Sequence, residues 1–149
     1  MHASIEMMPD TPAVYLRRTG PYGGDNRELM EQLKDWARRQ GVLENGVILG
    51  IAWDNPAKTP LEHCRYDVCL LLESACPELD AGMALERLPR GTYACYRGPH
   101  TQAGVQSLWI DGFNSLAEAG LTIGPARPVL ECYRPELVSQ GVCELCFPV

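Results

Sequence analysis

The chain has 149 residues, 46% apolar and 21% charged, which suits one domain that buries its own core and excludes intrinsic disorder. A formal net charge of −6 argues against direct DNA binding, which draws its affinity from clustered Lys and Arg, and favours a cationic partner. No run approaches the roughly 20 apolar residues of a membrane span and no basic-plus-apolar leader opens the chain, so a cytoplasmic location without a membrane partner is expected.

From Ser4 to Thr19 the pattern is β-like, with Ile5, Met7, Val14 and Leu16, and predicts one long strand bent at Pro9-Asp10-Thr11-Pro12. Gly20-Pro21-Tyr22-Gly23-Gly24 ends it, and Asp25 or Asn26 can cap the helix that follows. Leu29, Met30, Leu33, Trp36 and Ala37 recur at helical spacing over 27–40, with Arg38-Arg39 in the last turn and Gly41 as the stop. Strands over 47–54 and 64–72 follow, joined by the loop Asn55-Pro56-Ala57-Lys58-Thr59-Pro60.

The second half repeats this series. Met83 to Arg97 reads as a bent strand broken at Pro89-Arg90-Gly91, and Thr101 is the expected N-cap of a helix over 102–119. Val105, Leu108, Trp109, Phe113, Leu116 and Ala117 form its stripe, Gly120 ends it, and strands over 127–134 and 142–148 close the chain.

The two halves also share sequence. Tyr15-Leu16-Arg17-Arg18-Thr19-Gly20-Pro21-Tyr22 is echoed by Tyr93-Ala94-Cys95-Tyr96-Arg97-Gly98-Pro99-His100, and Tyr66-Asp67-Val68-Cys69-Leu70 by Cys143-Glu144-Leu145-Cys146-Phe147. Between them, 47–56 aligned with 127–135 sets Trp53 opposite Tyr133 and Ile51 opposite Glu131. Two copies are too few for a solenoid. They predict a single α+β domain over 1–149, with repeat one at 1–75 and repeat two at 81–149. Its duplicated βαββ units would form one pseudo-two-fold antiparallel sheet with two helices packed on one side, a concave face opposite, and a ligand cleft between the halves.

Taken in order, these elements resemble the GyrI-like family, the effector-binding domain of AraC- and MerR-type multidrug regulators. The resemblance is carried by Gly20-Pro21-Tyr22, the Trp36 helix, Asp54-Asn55-Pro56 with Thr59-Pro60 and Arg65-Tyr66-Asp67, Gly91-Thr92-Tyr93-Ala94, and Leu130-Glu131-Cys132-Tyr133. It implies a cleft that takes bulky, aromatic and often cationic molecules over a carboxylate, for sensing or sequestration. It also implies two alternatives: hydrolysis of cyclopropane-type electrophiles, in which Glu131 would act on a water, and a protein partner such as DNA gyrase or a separate regulator. Met1 leads almost directly into the first strand, so no DNA-binding segment of the regulator type is expected.

Glu131 is the leading candidate because its strand, Val129-Leu130-Glu131-Cys132-Tyr133, is otherwise apolar, and a buried carboxylate needs a partner. Tyr133 shares its face by the two-residue strand period. Trp53, Tyr22, Tyr66, Tyr93 and Trp109 are candidate walls, since aromatic faces attract cations. Glu144, in the neighbouring terminal strand, is a candidate second carboxylate. Trp36 and Phe113 fit core packing better. The seven cysteines, odd in number and irregular in spacing, read as reduced thiols. Cys143-x-x-Cys146 in a strand points its thiols to opposite faces, so neither a metal nor a cofactor is expected.

Overall fold

The computed structural model describes residues 2–23, 25–73, 77–124 and 126–149. Cys76, Gly24 of the first turn, and the Asp25 side chain expected to cap the first helix lie outside the described residues. The strands are β1 (Ser4–Met8), β2 (Thr11–Thr19), β3 (Ile48–Ala52), β4 (Arg65–Leu71), β5 (Ala84–Leu88), β6 (Gly91–Pro99), β7 (Leu130–Tyr133) and β8 (Val142–Pro148). Two long helices, α1 (Asp25–Arg39) and α2 (Gln102–Glu118), are joined by the four-residue α3 (Pro135–Val138) and a 3-10 turn at Leu61–His63, neither of which the sequence pattern announces. No helix is long and apolar enough to cross a membrane among the described residues.

The expected α+β duplication is present as one antiparallel sheet of eight strands in the order β1-β6-β8-β7-β3-β4-β2-β5. That order is a palindrome: β3 and β7 pair at the centre, and each step outward meets the equivalent strand of the other half. The long bent strands are corrected. Pro9-Asp10-Thr11-Pro12 and Pro89-Arg90-Gly91 each separate two strands with different partners, because proline supplies no N–H to continue a ladder. Thus β1 leaves its own half to pair with β6, while β5 crosses to pair with β2. Each half thereby contributes the edge strand of the other.

Thr101 caps α2 as expected, its side chain accepting from the Gly104 N–H at 2.9 Å. Asn26 does not cap α1: it lies inside the helix, and its buried Oδ1 makes no hydrogen bond. Both helices cover the same face. Leu33, Trp36 and Ala37 of α1 pack with Val14, Leu16, Val68 and Leu70, whereas Leu108 and Leu116 of α2 pack with Ala94, Tyr96, Leu145 and Phe147. Trp36 is fully buried and its indole N–H donates to the Glu78 carbonyl at 2.8 Å. Phe113 is only half in the core, 43% exposed with its ring edge-on to Phe147.

The opposite face carries a third cluster that includes Leu49, Ile51, Cys69, Tyr93, Cys95, Leu130, Cys132 and Cys146. Met8 follows from one sheet edge and Leu88 from the other, yet both line one cavity, so the sheet curls into a half-barrel with this face inside. The described cysteines are all free and buried, and Cys143 and Cys146 fall on opposite faces as the strand period requires.

Two buried carboxylates brace the concave face at equivalent places. Asp67 on β4 faces Arg17 on β2, and Glu144 on β8 faces Arg97 on β6. Asp67 has no exposure and accepts from Arg17 Nε at 2.7 Å, Arg17 Nη2 at 2.9 Å and Trp53 Nε1 at 2.7 Å. This fork geometry is the strong form of an ion pair. Removing Arg17 leaves the fully buried Asp67 carboxylate without its cation. Arg17→Ala is therefore expected to cost about 3 kcal/mol in urea unfolding, and a loss below about 1 kcal/mol would show that the network does not brace the sheet.

Candidate functional site: a carboxylate among aromatic rings between the helices

The footprints of α1 and α2 leave the central strands between them, since α1 packs on β2 and β4 and α2 on β6 and β8. Glu131 of β7 stands in this gap. Register fixes its direction: Glu131 pairs with Gly50 and Leu145, and Leu145 packs under α2. The carboxylate therefore rises on the helix-bearing face and not from the concave one.

Each Glu131 oxygen has an aromatic donor. The Tyr66 hydroxyl donates to Oε1 at 2.7 Å, and the Trp109 indole N–H donates to Oε2 at 3.0 Å. Tyr133, two residues along β7, stands on the same face, close enough for its phenol to feel the Glu131 charge. Tyr66 is buried and comes from β4, Trp109 from α2, and Glu131 itself is only partly buried. The site thus joins the two halves while leaving its carboxylate within reach of solvent.

Gly50 makes this possible. A methyl group there would overlap both the Tyr66 hydroxyl and Glu131 Oε1, so any other residue would push the pair apart. Face parity also shows that Gly50, rather than Ile51, is the equivalent of Glu131. Ile51 lies in the concave-face core, on the far side of the sheet from Glu131. Shifting the alignment by one residue sets Ala52 against Tyr133 and Trp53 against Arg134, and each of the latter pair then donates to an equivalent carboxylate, Asp67 or Glu144.

Tyr22 forms the outer wall. Its ring stands edge-on to Tyr66 at 6.4 Å, and its hydroxyl donates to the Arg65 carbonyl at 2.9 Å while accepting from the Asp54 N–H at 3.0 Å. The Asp54-Asn55-Pro56 stretch owes its role to that anchorage. Asp54 takes the Arg65 guanidinium on both oxygens, at 2.9 and 3.0 Å, and this pairing holds its carboxyl below the usual range. His100, which sequence reasoning passed over, lies 5.2 Å from the Tyr133 ring. Burial, with Lys34 nearby, lowers its pKa.

Of the residues singled out in the sequence, Glu131, Tyr133, Tyr66, Trp109 and Tyr22 come together here. Three do not. Trp53 is turned to the concave face by its bond to Asp67. Tyr93 is buried in the same core, with the Arg127 guanidinium 4.9 Å from its ring. Glu144 is 2% exposed, neither solvent-facing nor beside Glu131, and bonds to Arg134 Nε at 2.8 Å.

Comparison with known proteins places this arrangement. The family model for the GyrI-like small-molecule-binding domain matches residues 1–149. The chain belongs to the GyrI-like family. It is 37% identical to the SPbeta prophage-derived putative transcriptional regulator YosT of Bacillus subtilis (strain 168), over 100% of this chain and 99% of that one. It is 28% identical to a DNA gyrase inhibitor of Pectobacterium carotovorum, over 92% of this chain and 87% of that protein. Among solved structures, the fold is shared with SAV2435 bound to tetraphenylphosphonium, at a TM-score of 0.63 and 12% identity over 100% of this chain and 94% of that one. It is shared too with EcmrR in its DNA complex, at a TM-score of 0.67 and 12% identity over 99% of this chain and 56% of that chain. This GyrI-like chain is accordingly a small-molecule-binding domain by family.

Burial, and then the adjacent Glu131 charge, push the Tyr66 and Tyr133 phenols far above the ordinary range. A raised folded-state pKa favours the protonated phenol, so this contribution to stability is complete below the ordinary tyrosine pKa of about 10. It is lost as pH rises beyond that value. In an alkaline titration followed by phenolate absorbance, Tyr66 and Tyr133 should ionise only together with unfolding. Phenylalanine replacements that left the phenolate amplitude before unfolding unchanged would agree; a loss of reversible amplitude near pH 10 would contradict the buried geometry.

Proposed function

We propose that this chain captures aromatic, positively charged small molecules over Glu131, and by doing so senses or sequesters them, with residues 1–149 acting as one domain. The observation that carries the reading is a half-buried carboxylate set among Tyr66, Tyr133 and Trp109 in the gap between the helices. A carboxylate supplies the charge match, and its partial burial strengthens the attraction relative to open water. The rings supply a broad apolar surface and electron-rich faces for a cation.

The aromatic donors would hold Glu131 in place when the site is empty. Trp109 ties α2 to the central strand through Oε2, so a ligand that takes this oxygen would release the indole. The solved relative SAV2435, with tetraphenylphosphonium bound, shares the fold and supports a lipophilic cation as the ligand class.

Titration with tetraphenylphosphonium or a rhodamine, followed by tryptophan fluorescence, tests the reading. Saturable binding is expected, weakened at least about tenfold, or ~1.4 kcal/mol, in Glu131→Gln. Tyr66→Phe should weaken it less, because the carboxylate remains. Equal affinity in Glu131→Gln, or no saturable change in the native chain, would overturn it.

A further inference from the structure

The half-barrel's concave face holds a cavity of about 660 Å³ that does not touch Glu131. Its size falls within the ordinary range for small-molecule sites, roughly 300–1,000 Å³. Leu49, Leu71, Leu88 and Leu130, from β3, β4, β5 and β7, line its apolar part, while Arg97 and Arg134 face it from the β6 and β7 side.

The pseudo-symmetry reveals what is unusual about this cavity. In the first half, Arg17 closes on Asp67 with two short bonds and Trp53 completes the set. In the second half the equivalent arginine stops short: Arg97 Nε stands 3.5 Å from Glu144 Oε2, and that buried oxygen makes no hydrogen bond. Arg134 replaces the tryptophan and already takes the other Glu144 oxygen at 2.8 Å. Two guanidiniums therefore share one buried carboxylate. Two carboxylates also line the cavity: Glu6, which answers Arg134 at 3.4 Å, and Glu136, an exposed residue of α3. Arg97, with its side chain 59% exposed, is the cation left least matched.

We propose that this cavity is a second ligand site, which takes an aliphatic carboxylate with its chain against the leucines and its head on Arg97. A carboxylate offers a guanidinium two parallel acceptors, the geometry that Asp67 gives Arg17 and that Glu144 denies Arg97. The charge preference is opposite to that of the Glu131 site, and the two sites lie on opposite faces of one sheet.

Calorimetric titration with decanoate, kept below micelle formation, tests this on the whole chain. Saturable binding is expected. Arg97→Gln, at a side chain 59% exposed whose loss leaves Glu144 its 2.8 Å bond to Arg134, should weaken it at least tenfold. Leu88→Trp, which fills the apolar part, should abolish it. Decyltrimethylammonium, with the same chain and the opposite head charge, should bind at least tenfold more weakly. No saturable decanoate binding to the native chain, undiminished affinity in Arg97→Gln, or equal affinity for the two head groups would each overturn the proposal. Because the readout is decanoate alone, failure here leaves the cation reading of Glu131 standing, and failure of the cation titration leaves this one standing.

Discussion

Steric room at the centre of the sheet governs the rest. β3 and β7 meet antiparallel on the pseudo-two-fold, so side chains of equivalent residues compete there for the same space. The chain resolves this with a glycine facing a glutamate. Gly50 gives up its side chain, and the Glu131 carboxylate fills the room with the hydroxyl of Tyr66 beside it. A symmetric pair of carboxylates would repel at this distance, and a symmetric pair of large apolar groups would close the gap between the helices. One-sided asymmetry on an otherwise symmetric frame gives a charged point with rings around it.

The frame holds that point still. Exchange of β1 and β5 between the halves means that neither half completes its sheet alone. Asp67 and Glu144 cross-link neighbouring strands beneath the site, on the face away from it. The hairpin after β3 is clamped by Asp54 and Arg65, whose backbone seats Tyr22 against Tyr66. Sheet and loops thus hold the aromatic walls in place without a ligand, an order that would lower the cost of binding at the proposed site.

Much of this was legible in the sequence. Apolar spacing located α1 and α2 to within two residues at each end, and Thr101 announced its cap. Glu131 stood out because a carboxylate in an apolar strand demands partners. What could not be read was face parity. Repeat alignment matches segments by residue type, and an error of one residue turns every strand side chain to the opposite face. That single shift placed Trp53 in the wall and Ile51 opposite Glu131, whereas the structure turns both to the concave core. The exchange of edge strands was hidden for a related reason: a proline break reads the same whether the chain bends within one strand or departs to a new partner.

The most direct test of the account is a crystal structure of the chain with a rhodamine bound. The account predicts the dye in the gap between α1 and α2, its charged centre close to the Glu131 carboxylate and its ring system against Tyr66, Tyr133 or Trp109, with the Trp109 bond to Oε2 broken or lengthened. A dye seated instead on the concave face, with the contacts of Glu131 to Tyr66 and Trp109 unchanged, would contradict it.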